Sequence, residues 1–335
     1  MATRRGSPDY YRTLEVDPRA RQSVIEAAHR ALQKEYHPDR AGGDESTAKL
    51  INAAYEVLRD PDKRATYDRD SAELKGKTIG NYQILEKIAE GGFGTTYLGE
   101  HRISRKSVCS KHCHQVAPLY QETLIEEARA IWDLRHYSIP VMRDFLHLDD
   151  GSLALVMSFI PGLTVEKLVE RHGRLDPENV AWMMERTLNA LKYLHYNGVI
   201  HGDVKPQNII VQPETHSIVV VDFGLSLVKP TAKSEAKGHT PGFASPEQLD
   251  GRPLVPESDM YSLALTMMFA LSGSYEEVER LRVPNNVPDS LCTFLKRFLV
   301  RDVRKRPNWS EDLEAALRRV RVEAFGRDHS NLKPV

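Results

Sequence analysis

A single break near Leu74 separates two hydrophobic patterns that no one domain can satisfy. Over residues 8–70 the apolar positions recur with a helical period, through Val24, Ile25, Ala28 and Leu32 and again through Leu50, Ala54, Val57 and Leu58. Between the two runs stands His37-Pro38-Asp39-Arg40-Ala41-Gly42-Gly43-Asp44. Its proline and paired glycines forbid a continuous helix, so the spacing predicts an antiparallel helical hairpin, small and all-α. Asp60-Pro61 ends the second run, and residues 63–69 can add a short final helix. Past Leu74 the pattern becomes strand-like. Residues 81–98 alternate with glycine, short apolar strands follow at 209–211 and 218–221, and helix dominates from 256 onward. Strands first and helices later, over roughly 255 residues, predict a bilobal α+β unit.

Composition narrows the function. The 335 residues carry 46 Lys+Arg against 47 Asp+Glu, so neither nucleic acid nor an anionic membrane is attracted by net charge. The three cysteines, Cys109, Cys113 and Cys292, are too few for a secreted disulfide framework, and residues 1–6 are basic without the apolar stretch of a signal peptide. The longest apolar run, at 263–271, is short of the roughly 20 residues that cross a bilayer. A cytoplasmic, soluble protein is expected, with no nucleic-acid or membrane partner.

Chemistry concentrates in the second segment. Ala89-Glu90-Gly91-Gly92-Phe93-Gly94-Thr95 is glycine-rich between two strands, which lets backbone amides approach an anion; a glycine-rich hairpin turn gives the same string. Lys111 follows about one strand later, with Cys109 and Cys113 on the same strand face. An amphipathic helix around 124–131 offers Glu126 and Glu127 as partners for such a lysine. Downstream, Asp203, Lys205 and Asn208 supply a base, a cation and an oxygen ligand on one polar loop, and Asp222 stands at the end of the strand before Phe223-Gly224. Together these groups suit Mg²⁺ and a triphosphate. Cys109, His112, Cys113 and His114 invite a metal reading, but alternation sends cysteines and histidines to opposite strand faces. The three tryptophans, Trp132, Trp182 and Trp309, fall in helical patterns and are expected in the core.

In this order the motifs resemble a eukaryotic-type protein kinase over about 81–320, with an N-lobe near 81–157 and a C-lobe near 161–320. The resemblance implies roles position by position. Gly91 and Gly94 match the second and third loop glycines, while the first is Ala89. Lys111 matches the lysine on the α/β-phosphates, in the context Val-Cys-Ser-Lys, with Glu127 as its helix partner and Glu126 competing. Cys109 would roof the adenine, Met157 would be the gatekeeper, and Ser158 to Ile160 the hinge. Asp203 would accept the substrate hydroxyl proton, Lys205 would neutralise the γ-phosphate, and Asn208 and Asp222 would bind Mg²⁺. Glu247 and Arg306 would form a structural ion pair, Asp259 would hold the catalytic-loop backbone, and Thr240 would touch Asp203 and Lys205. Thr240 and Lys205 favour serine/threonine over tyrosine specificity. ATP and Mg²⁺ are thus the implied cofactors and a Ser/Thr-bearing protein the substrate. The alternative is a pseudokinase scaffold, to which Ala89, Thr96 and the lysine context point.

One departure bears on regulation. Gly202 stands before Asp203, where many kinases carry an arginine that pairs with a phosphorylated activation loop. Activity independent of Thr231 or Ser234 phosphorylation is expected.

The first segment resembles a J domain through Asp9-Tyr10-Tyr11-Arg12-Thr13-Leu14, Tyr36-His37-Pro38-Asp39-Arg40, Asn52-Ala53-Ala54-Tyr55 and Asp60-Pro61-Asp62-Lys63. The resemblance implies that His37, Pro38 and Asp39, with a basic face of Arg30, Lys34 and Arg40, engage a heat-shock protein 70-type chaperone. Glu26, Ala27 and Glu35 stand where family members often carry lysine. The expected organisation is a J domain at 8–70, a linker at 71–80, the kinase domain at 81–320 and a tail at 321–335.

Overall fold

A computed structural model describes residues 10–16, 20–36, 45–70, 74, 76–91, 94–113, 118–148 and 151–328. Its contacts divide the chain into two compact units, Met1–Leu124 with Asp144–Val156, and Ile125–Arg143 with Met157–Val335.

The first unit opens with four helices, α1 (Tyr10–Thr13), α2 (Gln22–Tyr36), α3 (Glu45–Leu58) and α4 (Pro61–Asp70). Tyr11, Leu14, Ile25, Leu32, Ile51, Ala54 and Leu58 share one core. Two of the expected inward residues face solvent instead: Val24 is 47% exposed and Leu50 45%. In each apolar pair the buried member is the next residue, Ile25 and Ile51, and in α3 Ala48 is buried one turn ahead of Ile51. A 3.6-residue period fixes that a stripe exists, and which member of an apolar pair occupies its centre depends on the helix opposite. Asp60 caps α4, accepting the Asp62 and Lys63 N–H groups at 3.0 and 3.1 Å, and the Lys63 bond foremost holds its carboxyl below the ordinary value. Arg64 ties α4 to α1 by donating Nε–H to the Tyr11 hydroxyl at 2.8 Å, and to the segment before α2 by donating Nη2–H to Ala20 C=O at 2.9 Å. Arg30 and Lys34, one turn apart on α2, are exposed. His37, Pro38, Asp39 and Arg40 lie outside the described residues.

A six-stranded sheet follows. Its strands are β1 (Thr78–Ile79), β2 (Tyr82–Gly91), β3 (Gly94–His101), β4 (Ser107–Cys113), β5 (Met142–His147) and β6 (Leu153–Ser158), with helix α5 (Pro118–Ile131) between β4 and β5. The order across the sheet is β1-β2-β3-β4-β6-β5. The segment expected to be a free linker is in part built into this sheet. Leu74 and Ile79 are buried with Tyr82, Ile84, Tyr97 and Val108, and β1 pairs antiparallel with β2. The apolar side chains at 74 and 79 gain more from that core than an extended linker would. His112, weighed as a metal ligand, is buried with its Nε2 2.8 Å from the Ser152 hydroxyl; His114 lies outside the described residues.

The second unit runs through β7 (Leu163–Thr164), α6 (Val165–His172), α7 (Pro177–Tyr196), β8 (Val199–Ile200), β9 (Ile209–Gln212), β10 (Ser217–Val220), β11 (Leu227–Val228), α8 (Pro246–Leu249), α9 (Pro256–Ser272), α10 (Tyr275–Glu279), α11 (Asp289–Phe298) and α12 (Leu313–Phe325). Helix α9 is buried from Ser258 to Phe269 on all but one position, which is why its sequence shows an apolar run rather than a stripe. Short ladders β9/β10 and β8/β11 hold the loops that carry the polar motifs. Two expectations are corrected. Residues 321–325 belong to α12, with Arg321 buried, and are not tail. Trp182 is buried, but Trp132 lies just past α5 and is 57% exposed, while Trp309 sits in a turn. Tryptophan supplies a large apolar face and one N–H donor, and at 309 the donor decides its place. Among the described residues no helix is long and apolar enough to cross a membrane.

Candidate active site

The loop between β8 and β9 brings three sequence-predicted groups together because they are local to one another. Asp203, 8% exposed, receives a charge contact from Lys205 Nζ at 2.6 Å on Oδ2. Asn208 donates through Nδ2 to the Asp203 carbonyl at 2.9 Å and to Oδ2 at 3.1 Å. Both amide hydrogens are thereby used, and Oδ1 is the atom left to ligate a cation. The fourth group arrives from the segment after β11: Thr240 donates its hydroxyl to Asp203 Oδ1 at 2.6 Å and accepts from Lys205 Nζ at 2.9 Å. Asp203 packs with Thr240, Phe243, Ala244 and Gln248 around a gap too tight to admit a water molecule.

The backbone of this loop is held as tightly as its side chains. Asp259, on α9 and 1% exposed, accepts the His201 N–H on Oδ2 and the Gly202 N–H on Oδ1, both at 2.8 Å. Burial acts to raise the Asp259 pKa, but the hydrogen bonds from His195 and the Gly202 amide prevail, and the group lies below its ordinary value. His195 Nε2 is 2.8 Å from Asp259, and its Nδ1 accepts the indole N–H of Trp309 at 2.9 Å. Indole is a donor only, so the imidazole hydrogen sits on Nε2 and points at the carboxylate. His201 follows the same logic: Nδ1 accepts the Asp203 N–H at 3.2 Å, leaving Nε2 to donate to Val221 C=O at 3.2 Å.

Gly202 has φ +73°, and a Cβ built there would lie 2.7 Å from the Leu225 carbonyl oxygen. The missing arginine is thus a matter of space and conformation as well as charge.

The strand end that bears Asp222 is tied to this loop by Val221 N–H to Asn208 C=O, 2.9 Å. Asp222 is exposed with φ +66°, a left-handed conformation that aspartate tolerates. Exposed carboxylate and directed amide oxygen fit Mg²⁺, which keeps several waters and takes few protein ligands. The two candidate helix acids separate. Glu127 is buried and accepts the Phe223 N–H at 3.3 Å, whereas Glu126 pairs with Lys237 at 2.7 Å. Farther off, Arg306 meets Glu247 through two parallel bonds of 2.7 and 2.8 Å, both side chains nearly fully buried. The Arg306 guanidinium lies over the Tyr261 ring, 4.7 Å from its centre.

In the first unit, Lys111 is buried on β4 opposite Thr96, and Cys109 is opposite Leu98. Gly91 and Gly94 face each other at the end of the β2/β3 ladder. Gly94 has φ +145°, and a Cβ there would lie 2.3 Å from the His112 carbonyl oxygen, so the sheet itself requires glycine. Met157 is buried at the end of β6. Ser158 exchanges two bonds with Val141, its N–H donating to the carbonyl and its Oγ accepting the N–H; Ile160 is half-buried. Sequence reasoning gave no role to His195, Ser226 or Gln248, and read Trp309 only as a core residue. The Ser226 hydroxyl donates to His201 C=O at 3.1 Å, and Gln248 donates to Gly202 C=O and Gly238 C=O. None lies in a spacing pattern that would single it out; His201 at least stands in the loop string.

Residues 82–317 match the family model for the protein kinase domain, and residues 9–68 that for the DnaJ domain. Among curated proteins the chain is similar to serine/threonine-protein kinase C of Synechocystis sp., 33% identical over 59% of this chain and 40% of that one. It is also similar to serine/threonine-protein kinase F of the same organism, 29% identical over 71% and 55%, and to serine/threonine-protein kinase PrkC of Bacillus subtilis, 28% identical over 78% and 43%. The chain therefore spans about half the length of these relatives. With the kinase match covering more than half of its residues, the chain belongs to the protein kinase domain family and carries a DnaJ domain ahead of it.

Proposed function

We propose that the protein is an ATP- and Mg²⁺-dependent kinase that transfers the γ-phosphate to serine or threonine hydroxyls of a protein substrate. The observation that carries this reading is the closed arrangement of Asp203, Lys205, Thr240 and Asn208. Asp203 is oriented by three donors, Lys205, Asn208 and Thr240. It would accept the hydroxyl proton. Lys205, already beside Asp203, would neutralise charge on the transferred phosphoryl group. Asn208 and Asp222 would hold Mg²⁺, which supplies charge neutralisation on the phosphates. Lys111 would hold the α/β-phosphates, Glu127 would orient it, and Gly91 and Gly94 would let backbone amides approach. Cys109, Met157, Ser158 and Ile160 would border the adenine. Phosphoryl transfer needs little covalent work from protein, so positioning and charge carry the catalysis.

The DnaJ domain we read as recruiting a heat-shock protein 70-type chaperone through His37, Pro38, Asp39 and Arg40, with Arg30 and Lys34 steering it; the exposed basic pair on α2 supports this. We place the protein in the cytoplasm.

Radiolabelled ATP with Mg²⁺ and a generic protein substrate tests the enzyme. The intact chain should transfer label, and Asp203→Ala and Lys111→Ala should not. Transfer no higher than the Asp203→Ala background would favour a pseudokinase scaffold. The chaperone's ATPase rate should rise with the wild-type chain and not with His37→Gln; equal rates would remove the co-chaperone reading.

A further inference from the structure

Gln248 directly follows the ion-paired Glu247 and is 7% exposed. Its amide nitrogen spends both hydrogens on main-chain oxygens of two separate segments. One bond runs to Gly202 C=O at 2.9 Å and the other to Gly238 C=O at 2.7 Å. Gly202 immediately precedes Asp203, and Gly238 lies two residues before Thr240. Because the Thr240 hydroxyl in turn holds Asp203 Oδ1, the chain of contacts closes on itself: Gly202, Asp203, Thr240, Gly238, Gln248 and back to Gly202.

We infer that Gln248 is a positioning residue for phosphoryl transfer, a neutral bridge that sets the catalytic loop and the activation segment at the spacing Asp203 and Thr240 need. The inference rests on the kinase reading above. Its physical content is the geometry at Gly202. With φ +73° the residue turns its carbonyl toward Gln248, and the Leu225 oxygen leaves no room for a side chain. A charged residue at 202 therefore cannot join the two segments, and a buried amide does so instead. Its two donors meet two acceptors with no net charge to desolvate, so the joint needs no phosphate to complete it. Lys237, next to Gly238, is paired with Glu126 and adds a second anchor on the same segment.

The test compares the full chain with Gln248→Glu and Gln248→Met, both close to glutamine in size. Glutamate removes the donors but adds charge; methionine removes them without charge. An effect common to both belongs to the lost donors. Each variant should lower kcat on the order of 10- to 100-fold, the cost of displacing a catalytic group by about 1 Å, while the KM for ATP stays within roughly threefold. Hydrogen exchange, measured without nucleotide, should quicken at the amides of residues 202–203 and 238–240 in both variants. Kinetics are referred to the folded fraction from thermal denaturation, so a merely structural role would leave kcat per folded molecule unchanged. A full kcat in either folded variant, or unaltered exchange at those amides, would overturn the bridge. A wild-type chain that transfers no phosphate would overturn the kinase reading instead, and the exchange result would still decide whether Gln248 joins the two segments.

Discussion

Replacing Gly202 by alanine brings two penalties that the structure lets us separate. At φ +73° an L-residue with a Cβ costs about 1–2 kcal/mol relative to glycine. The added carbon would sit 2.7 Å from the Leu225 carbonyl oxygen, a backbone atom that cannot swing aside, and relieving such overpacking costs about 1–3 kcal/mol. A combined loss near 3 kcal/mol would lower Tm by roughly 6–12 °C for a unit of this size. Asparagine tolerates the left-handed region better than alanine, so Gly202→Asn should keep the contact penalty and lose part of the backbone one. Thermal denaturation of the three proteins should therefore rank glycine first, asparagine second and alanine last. Transfer rates should fall in both variants, because the strain is relieved most cheaply by turning the 202 carbonyl away from Gln248. An alanine variant with wild-type Tm and wild-type transfer would refute the reasoning, since the loop could not then have the conformation described.

Three further outcomes follow from the same network. Glu247→Gln leaves Arg306 buried without its counter-charge and should cost roughly 3–5 kcal/mol in urea denaturation at neutral pH. Burial works to raise the Glu247 pKa, but the Arg306 bonds prevail and hold it below 4.5. A carboxylate so depressed stabilises the fold above its unfolded pKa and loses that contribution as pH falls through the folded value. The gap between wild type and Glu247→Gln should accordingly narrow below about pH 4.5; a gap independent of pH would contradict it. Thr240→Val removes the hydroxyl between Lys205 and Asp203 and should reduce kcat about 10-fold or more with a smaller effect on the KM for ATP. Thr231→Ala with Ser234→Ala should keep most of the transfer activity, because Gln248 and Lys237 already anchor the segment that follows; loss of activity in that double variant would restore a phosphate requirement.

The candidate site was legible in the sequence to an unusual depth because its central groups are close in the chain. Asp203, Lys205 and Asn208 sit within one loop, and a loop bounded by two short strands has little freedom to separate them. Their order relative to the glycine hairpin, Lys111 and Asp222 carried the rest. What hydropathy misjudged were residues whose place depends on a distant partner: Val24 against Ile25, Trp132 in solvent, and the supposed linker whose Leu74 and Ile79 enter the sheet core.

By itself, then, the sequence determined that a helical DnaJ domain precedes a protein kinase domain of different class, and which polar residues are candidates for phosphoryl chemistry. Periodicity and motif spacing are local properties, set by backbone geometry over a few residues. Only the tertiary structure decided how those residues are held. Asp259 reaches His201 and Gly202 from another helix, Trp309 sets the hydrogen on His195, and Gln248 joins two glycine carbonyls that no pattern marks. Those bonds are fixed by where the backbones lie in space, and a main-chain oxygen looks the same in any sequence until the fold has aimed it.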